Sequence, residues 1–174
     1  MKLLLTAAAM MALGGIAFAQ HQQSHQHGAS PYAGMQQRPV KALSEQQVAD
    51  LKAGRGMGLA LAAEMNGYPG PMHVLELADQ LGLNAELQQQ MRQLVESMKA
   101  EAVPMGEQLL ARETALDRAF AERTISPNSL AQLTVQIGET QAQLRAIHLK
   151  YHLTTADLLS PHQRHRYAEL RGYR

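Results

Sequence analysis

The chain contains no cysteine and no tryptophan. Without cysteine it cannot form a disulfide, a thiolate metal site or a thiol nucleophile, so three common kinds of site are excluded. Aromatic residues make up only 4% of the sequence, which leaves few rings on which unpaired nucleic-acid bases could stack. Basic and acidic residues number 16 and 15, and this near balance lacks the positive face that a phosphate backbone requires. We therefore expect no nucleic-acid partner.

Long apolar runs are also lacking, with one exception at the N-terminus. There Lys2 precedes an apolar stretch over residues 3–18, and Ala17 and Ala19 supply the small residues of a cleavage site. This pattern predicts a signal peptide over residues 1–19 that is cleaved after Ala19. No later segment approaches the roughly 20 apolar residues that a transmembrane helix needs. The mature protein is therefore predicted to be exported and not inserted in a membrane.

Residues 20–42 are polar and rich in glutamine and histidine. Such a composition buries too little apolar surface to offset the entropy of ordering, so we predict a disordered leader. Neutral imidazoles bind Zn²⁺, Cu²⁺ and Ni²⁺, which makes His21, His25 and His27 candidate metal ligands. The alternative is a solubilising leader in which these histidines bind nothing.

Residues 43–71 form a separate short region. Ser44 is suited to cap a helix, three closely spaced glycines interrupt the chain after it, and a turn rich in glycine and proline covers residues 66–71. The region thus predicts an N-terminal helical segment that ends at a turn. The main domain is predicted to begin after that turn and to cover residues 72–174.

Two long segments dominate residues 72–174. Apolar residues recur three and four positions apart from Asn84 to about Arg123, and again after the cap at Ser126, as on one face of an α-helix. The turn between these segments, near Thr124, is short, so the two helices should pack antiparallel. No segment alternates as a strand would. We predict an all-α fold, an elongated helical hairpin with short flanking helices.

The last short helix begins at a well-defined corner. Leu159 precedes Ser160, which is suited to be an N-cap, and Gln163 stands where the partner of a capping box belongs. Pro161 fits the first helical position, where its missing N–H is not needed. A weaker copy of this corner lies at Leu83 and Asn84.

These corners resemble the LTxxQ motif of the Spy/CpxP family of bacterial periplasmic proteins, a superfamily that also contains ZraP and the metal sensor CnrX. The resemblance covers roughly residues 72–174 and includes the order of short and long helices. Ser160 replaces the threonine of the motif, and the corner at Asn84 lacks both threonine and glutamine. The resemblance implies a periplasmic envelope-stress protein that acts as an ATP-independent chaperone and homodimer. It also allows a partner of a membrane sensor kinase, or a protein that binds or senses heavy metals.

A line of methionines offers a candidate surface for unfolded clients. Met91, Met98 and Met105 fall seven residues apart on the first long helix. Thioether side chains are flexible and polarizable, so a methionine-lined face could fit many apolar partners. The alternative is that these methionines fill the helical core.

One histidine pair has the spacing of metal ligands. His148 and His152 lie four residues apart on the second long helix, so both imidazoles should project from nearly one face. Helical spacing puts His152 further towards solvent than His148. Glu113 or Asp117, or a second subunit, would have to complete a site for Zn²⁺, Cu²⁺ or Ni²⁺. The alternative is that both are ordinary exposed histidines.

Recognisable catalytic patterns are scarce. The sequence contains no serine elbow and no His-Glu-x-x-His motif, and its carboxylates are scattered. We expect a protein that is not an enzyme and that requires no cofactor.

Overall fold

The computed structural model of this protein describes residues 30–173. The predicted signal peptide, His21, His25 and His27 lie outside the described residues. Residues 30–33 form a turn in which the Ala33 amide donates to the Ser30 carbonyl, and residues from 34 onward form a separate compact unit.

All regular structure within residues 30–173 is helical, which confirms the all-α prediction. The helices are α1 (Glu45–Lys52), α2 (Leu61–Glu64), α3 (Pro71–Glu76), α4 (Ala85–Ala121), α5 (Pro127–Leu158) and α6 (Pro161–Leu170), preceded by a 3-10 turn at Met35–Gln37. No helix of this described part is long and apolar enough to cross a membrane.

The helix starts follow the predicted caps. The Ser44, Ser126 and Ser160 hydroxyls each accept a hydrogen bond from the amide three residues on, and all three form capping boxes. The Asn84 side chain caps α4 through the Leu87 amide at 2.8 Å. These side chains satisfy amides that a helix leaves unpaired at its N-terminus, and each is worth about 1 kcal/mol.

Helix α3, the short helix that precedes α4, covers only six residues. Helix α3 ends at Glu76, after which the Leu77 and Ala78 amides bond to carbonyls only three residues back. Turns then continue to Gly82, whose φ of 62° is left-handed, although the Leu81 amide again bonds four residues back, to the Leu77 carbonyl. Apolar residues recur three or four positions apart in these turns as they do in α3, because a 3-10 turn and an α-helix both complete one turn every three to four residues.

The two corners at Leu83–Asn84 and Leu159–Gln163 meet in space. Leu83 and Leu159 belong to one buried cluster together with Met91 and Tyr167. The Gln163 amide nitrogen donates to the Leu81 carbonyl at 3.3 Å. The sequence copies at the two corners thus pack against each other.

Helices α4 and α5 make the most extensive contact between any two helices of the described residues. Glu101 accepts a hydrogen bond from Lys150 at 2.6 Å, whereas Arg112 donates to the Gln136 carbonyl and to the Thr140 hydroxyl. The contacts therefore run in opposite chain directions along the two helices.

Helix α1 crosses α4 at a glycine. A Cβ atom placed on Gly106 would lie 2.6 Å from the backbone oxygen of Leu51, closer than atoms can pack. Leu51 is itself 2% exposed and belongs to the cluster of Leu109 and Leu144. The missing side chain is what allows the two backbones to approach.

We expect Gly106→Ala to lower the free energy of unfolding by about 1–3 kcal/mol, because the methyl group forces α1 away from α4. Gly138→Ala is the matched control, since it also lies inside a long helix and nothing lies within 4 Å of its Cβ position. That variant should gain about 0.5–1 kcal/mol from helix propensity. Urea denaturation measures both, and equal stabilities for the two variants would contradict the close approach.

Candidate functional site

A cleft of about 470 Å³ lies between the segment over residues 54–73 and the long helices. Met98 of α4 and His148 and His152 of α5 line one side, and glycine-containing loops line the other. Arg171 and Tyr173, which follow α6, also line the cleft.

Two glycines lie directly on the two imidazoles. A Cβ on Gly70 would be 2.8 Å from Nε2 of His152, and one on Gly56 would be 3.5 Å from Nδ1 of His148. Any side chain at Gly70 would displace the His152 ring. The loops can therefore cover the pair only because glycine stands at this position.

His148 and His152 are buried, so the expectation that they are ordinary exposed histidines is wrong. His148 is 2% exposed and His152 is 9% exposed. Both histidines lie on one face of α5, as their spacing predicts, but the segment over residues 54–73 covers that face. That segment has no periodic pattern from which its position could be predicted.

His148 lacks the hydrogen bond that a buried imidazole normally has. Its Nε2 is buried and without a partner among the described residues, whereas nearly all buried polar atoms in proteins have one. Burial, and then the charge of a protonated His152, lower the pKa of His148. The ring is therefore neutral at pH 7 and retains a lone pair that a ligand can use.

His152 is differently placed. Its Nδ1 lies 2.7 Å from the Tyr68 carbonyl, so it must carry the proton and donate it. Its Nε2 faces Gly70 at close range. Nδ1 is thus occupied by the Tyr68 carbonyl, and the backbone of Gly70 restricts access to Nε2.

The carboxylates expected to complete a metal site are elsewhere. Asp117 pairs with Lys41 at 2.8 Å. Glu113 belongs to the stretch of α4 that faces the first half of α5, and burial raises its pKa. Across residues 30–173 no group of three or more histidine, aspartate or glutamate side chains is positioned to hold a metal.

The acidic residue that lies at this site is Glu64, which was not predicted from the sequence. Its carboxylate is 7% exposed and accepts hydrogen bonds from the Tyr167 hydroxyl, from the Tyr173 hydroxyl at 3.2 Å and from the Gly70 amide at 3.2 Å. His152 lies 3.6 Å away. A signal was present, because Glu64 is the one charged residue in the apolar run over residues 59–65.

The charge of Glu64 is strongly favoured. Burial would raise the pKa of this carboxyl, but His73 and the hydrogen bond from Tyr167 outweigh burial and lower the pKa to about 2. Nδ1 of His73 lies 3.7 Å from the carboxylate, which is too far for a normal hydrogen bond but close enough for a charge interaction when His73 is protonated. In turn, burial and the same carboxylate raise the pKa of Tyr167. Glu64 is therefore ionised and Tyr167 protonated at pH 7.

The predicted methionine line lies mostly inside the protein. Met91 is fully buried, Met98 is 6% exposed and Met105 packs against the cluster around Leu51. Met91 and Met98 therefore serve as core residues in this arrangement and do not offer a surface to clients. Exposed methionines occur instead on the segment over residues 54–73, which we call the covering segment, and they are Met57, Met65 and Met72.

The remaining described histidines occupy the surface of α6. His162 and His165 are exposed, and His165 lies 3.4 Å from Glu169. Neither lines the cleft.

Comparisons with protein-family models, with curated proteins and with solved structures find no match to this chain. The resemblance to the Spy/CpxP family therefore stays a prediction that rests on the two corners and the helix order.

We expect Glu64→Gln to destabilise the protein by about 1.5–3 kcal/mol at pH 7, because charged hydrogen bonds are replaced by neutral ones. The folded pKa of Glu64, about 2, lies below the reference value of 4.5. Its contribution is therefore complete above about pH 5 and is lost as pH falls towards 2.

Urea unfolding of wild type and variant between pH 7 and pH 2 measures the effect. The stability gap should close at the acid end, since Glu64 then becomes protonated. Glu96→Gln on the exposed face of α4 is the control and should differ from wild type by less than about 0.5 kcal/mol throughout. A gap for Glu64→Gln that is the same at all pH values would refute the role of its charge.

Proposed function

We propose that this protein is a non-enzymatic periplasmic stress protein of Spy/CpxP type, which binds apolar segments of unfolded envelope proteins without ATP. One observation carries this proposal, an exposed apolar surface on and around α2. We call it the α2 surface. Its side chains are between 36% and 56% exposed, and they are Met57, Leu61, Met65, Tyr68 and Met72.

The chemistry of the α2 surface suits varied clients. Three of its five side chains are thioethers, which adapt their shape at little energetic cost and favour promiscuous contacts. Met57, Leu61 and Met65 line one shallow groove together with Arg145. A cluster of exposed apolar groups beside a cation is typical of surfaces that bind other proteins.

Binding and release follow from the same physics. An unfolded segment gains by removing its apolar side chains from water against this surface. Folding of the client buries those side chains internally, so the client then has nothing to place on the α2 surface. No nucleotide is required for this cycle.

Export and assembly belong to the proposal as well. The signal peptide would direct the chain to the periplasm, and α4 and α5 would form the elongated hairpin of a homodimer. A membrane sensor kinase is the alternative partner that the resemblance implies.

We expect Leu61→Ser with Met65→Ser to reduce the suppression of aggregation of a chemically unfolded client several-fold at a one-to-one ratio. Both residues are exposed, so the fold should tolerate the change. Val135→Ser is the control, because Val135 is 59% exposed on α5 but does not belong to the α2 surface. Light scattering measures aggregation, and equal protection by both variants would refute the assignment.

A second candidate function is the binding of heavy-metal ions, and the unpartnered nitrogen of His148 favours it. Because the leader histidines could also bind metal, the test uses the full mature chain with His21, His25 and His27 changed to alanine. We expect Zn²⁺, Cu²⁺ or Ni²⁺ to bind this chain at micromolar or lower concentration in calorimetric titration. Adding His148→Ala should abolish that binding, whereas adding His162→Ala should leave it unchanged. Equal binding by the two variants would contradict a site at His148.

A further inference from the structure

The cleft beside His148 contains a second kind of metal-binding group, the thioether. Met57, Met72 and Met98 line it together with His148. Met98 and His148 come from the long helices, whereas Met57 and Met72 come from the covering segment. Soft donors thus approach the same cavity from both of its sides.

The oxygen donors of the cleft are already committed. Glu64 accepts hydrogen bonds from two tyrosines and a backbone amide. Asp50 accepts from Arg55 at 2.6 Å and from Gln46 at 2.7 Å. Hard cations such as Mg²⁺ and Ca²⁺ need several free oxygens, and these carboxylates have little left to offer.

Two imidazole nitrogens of the cleft are buried without a hydrogen-bond partner among the described residues, Nε2 of His148 and Nδ1 of His73, and the latter lies 3.7 Å from the Glu64 carboxylate. His152 is held by the Tyr68 carbonyl on one side and faces Gly70 on the other. His148 is 2% exposed, lines the cleft and has no hydrogen-bond partner for Nε2. A bound ion would account for this unpartnered buried atom.

Met57 has a backbone conformation that is unfavourable for a residue with a side chain. Its φ of 45° is left-handed, a conformation that glycine adopts freely in the same loop at Gly54 and Gly58. For a residue with a side chain this costs on the order of 1 kcal/mol. A methionine at this position is unfavourable for the loop itself, but it places a thioether beside the cleft.

From these contacts we propose that the cleft is a binding site for a monovalent soft ion, Cu⁺ or its analogue Ag⁺, held by His148 and by thioethers of Met98, Met57 and Met72. Thioethers select Cu⁺ over harder divalent ions, and imidazole accommodates copper well. The inference rests on the second candidate function and specifies its ion and its ligands. Since two of the thioethers belong to the covering segment, the bound ion would fasten that segment to the long helices.

The test is anaerobic titration of Cu⁺ against a chromophoric Cu⁺ chelator, with Ag⁺ as a redox-stable second probe. It uses the full mature chain with His21, His25 and His27 changed to alanine. The key variant combines Met57→Leu and Met72→Leu, because both residues are partly exposed and leucine conserves their volume. A second variant, Met98→Leu, removes the thioether of α4.

We expect each of these variants to weaken Cu⁺ binding at least tenfold. Met91→Leu is the matched control, since Met91 is buried on the same helix as Met98 but does not line the cleft. It should bind Cu⁺ as the parent chain does. Copper X-ray absorption should show sulfur neighbours in the parent chain and fewer of them in the key variant.

Three other outcomes separate this inference from the function on which it rests. If Zn²⁺, Cu²⁺ or Ni²⁺ binds through His148 and the methionine variants change nothing, metal binding stands and the thioether site is wrong. If Cu⁺ binds equally well to the key variant and to the Met91→Leu control, the site is likewise refuted. If no ion binds the parent chain, both proposals fail.

Discussion

The buried carboxylate of Glu64 connects short segments of this protein that the packing of α4 against α5 does not hold. Glu64 lies at the end of α2, and it receives hydrogen bonds from the turn before α3, from α6 and from Tyr173, which follows α6. Its charge also lies close to His152 of α5. A buried charge is costly unless fully paired, so these segments must stay together for Glu64 to remain ionised. The cleft, its covering loops and the α2 surface all depend on that constraint.

Local chemistry was sufficient to predict most of the helices. Caps at Ser44, Asn84, Ser126 and Ser160 determine where four helices begin, and each can be recognised from a few neighbouring residues. The end of α3 could not be predicted in the same way. Its apolar spacing continues past Glu76, and only the hydrogen bonds distinguish the tighter turns from an α-helix.

The candidate site could be predicted only in part, because its residues come from segments far apart in the chain. The spacing of His148 and His152 correctly places them on one face of α5. Whether that face is open to solvent depends on residues 54–73, where glycines, the short helix α2 and the start of α3 replace any periodic pattern. For the same reason the sequence did not indicate a role for the methionines of the covering segment. The methionines of α4 are regularly spaced in the sequence, but they lie in the core.

The hydrogen bonds of Gln163 explain why an amide stands at that position of the corner. Its oxygen accepts from the Ser160 amide at 3.0 Å, and its nitrogen donates to the Leu81 carbonyl at 3.3 Å. Glutamate serves equally well in a capping box, but it has no donor for the carbonyl and would set a negative charge against it. The Gln163 side chain therefore takes part in the cap at the start of α6 and also bonds to the backbone of the other corner. Only glutamine can make both hydrogen bonds.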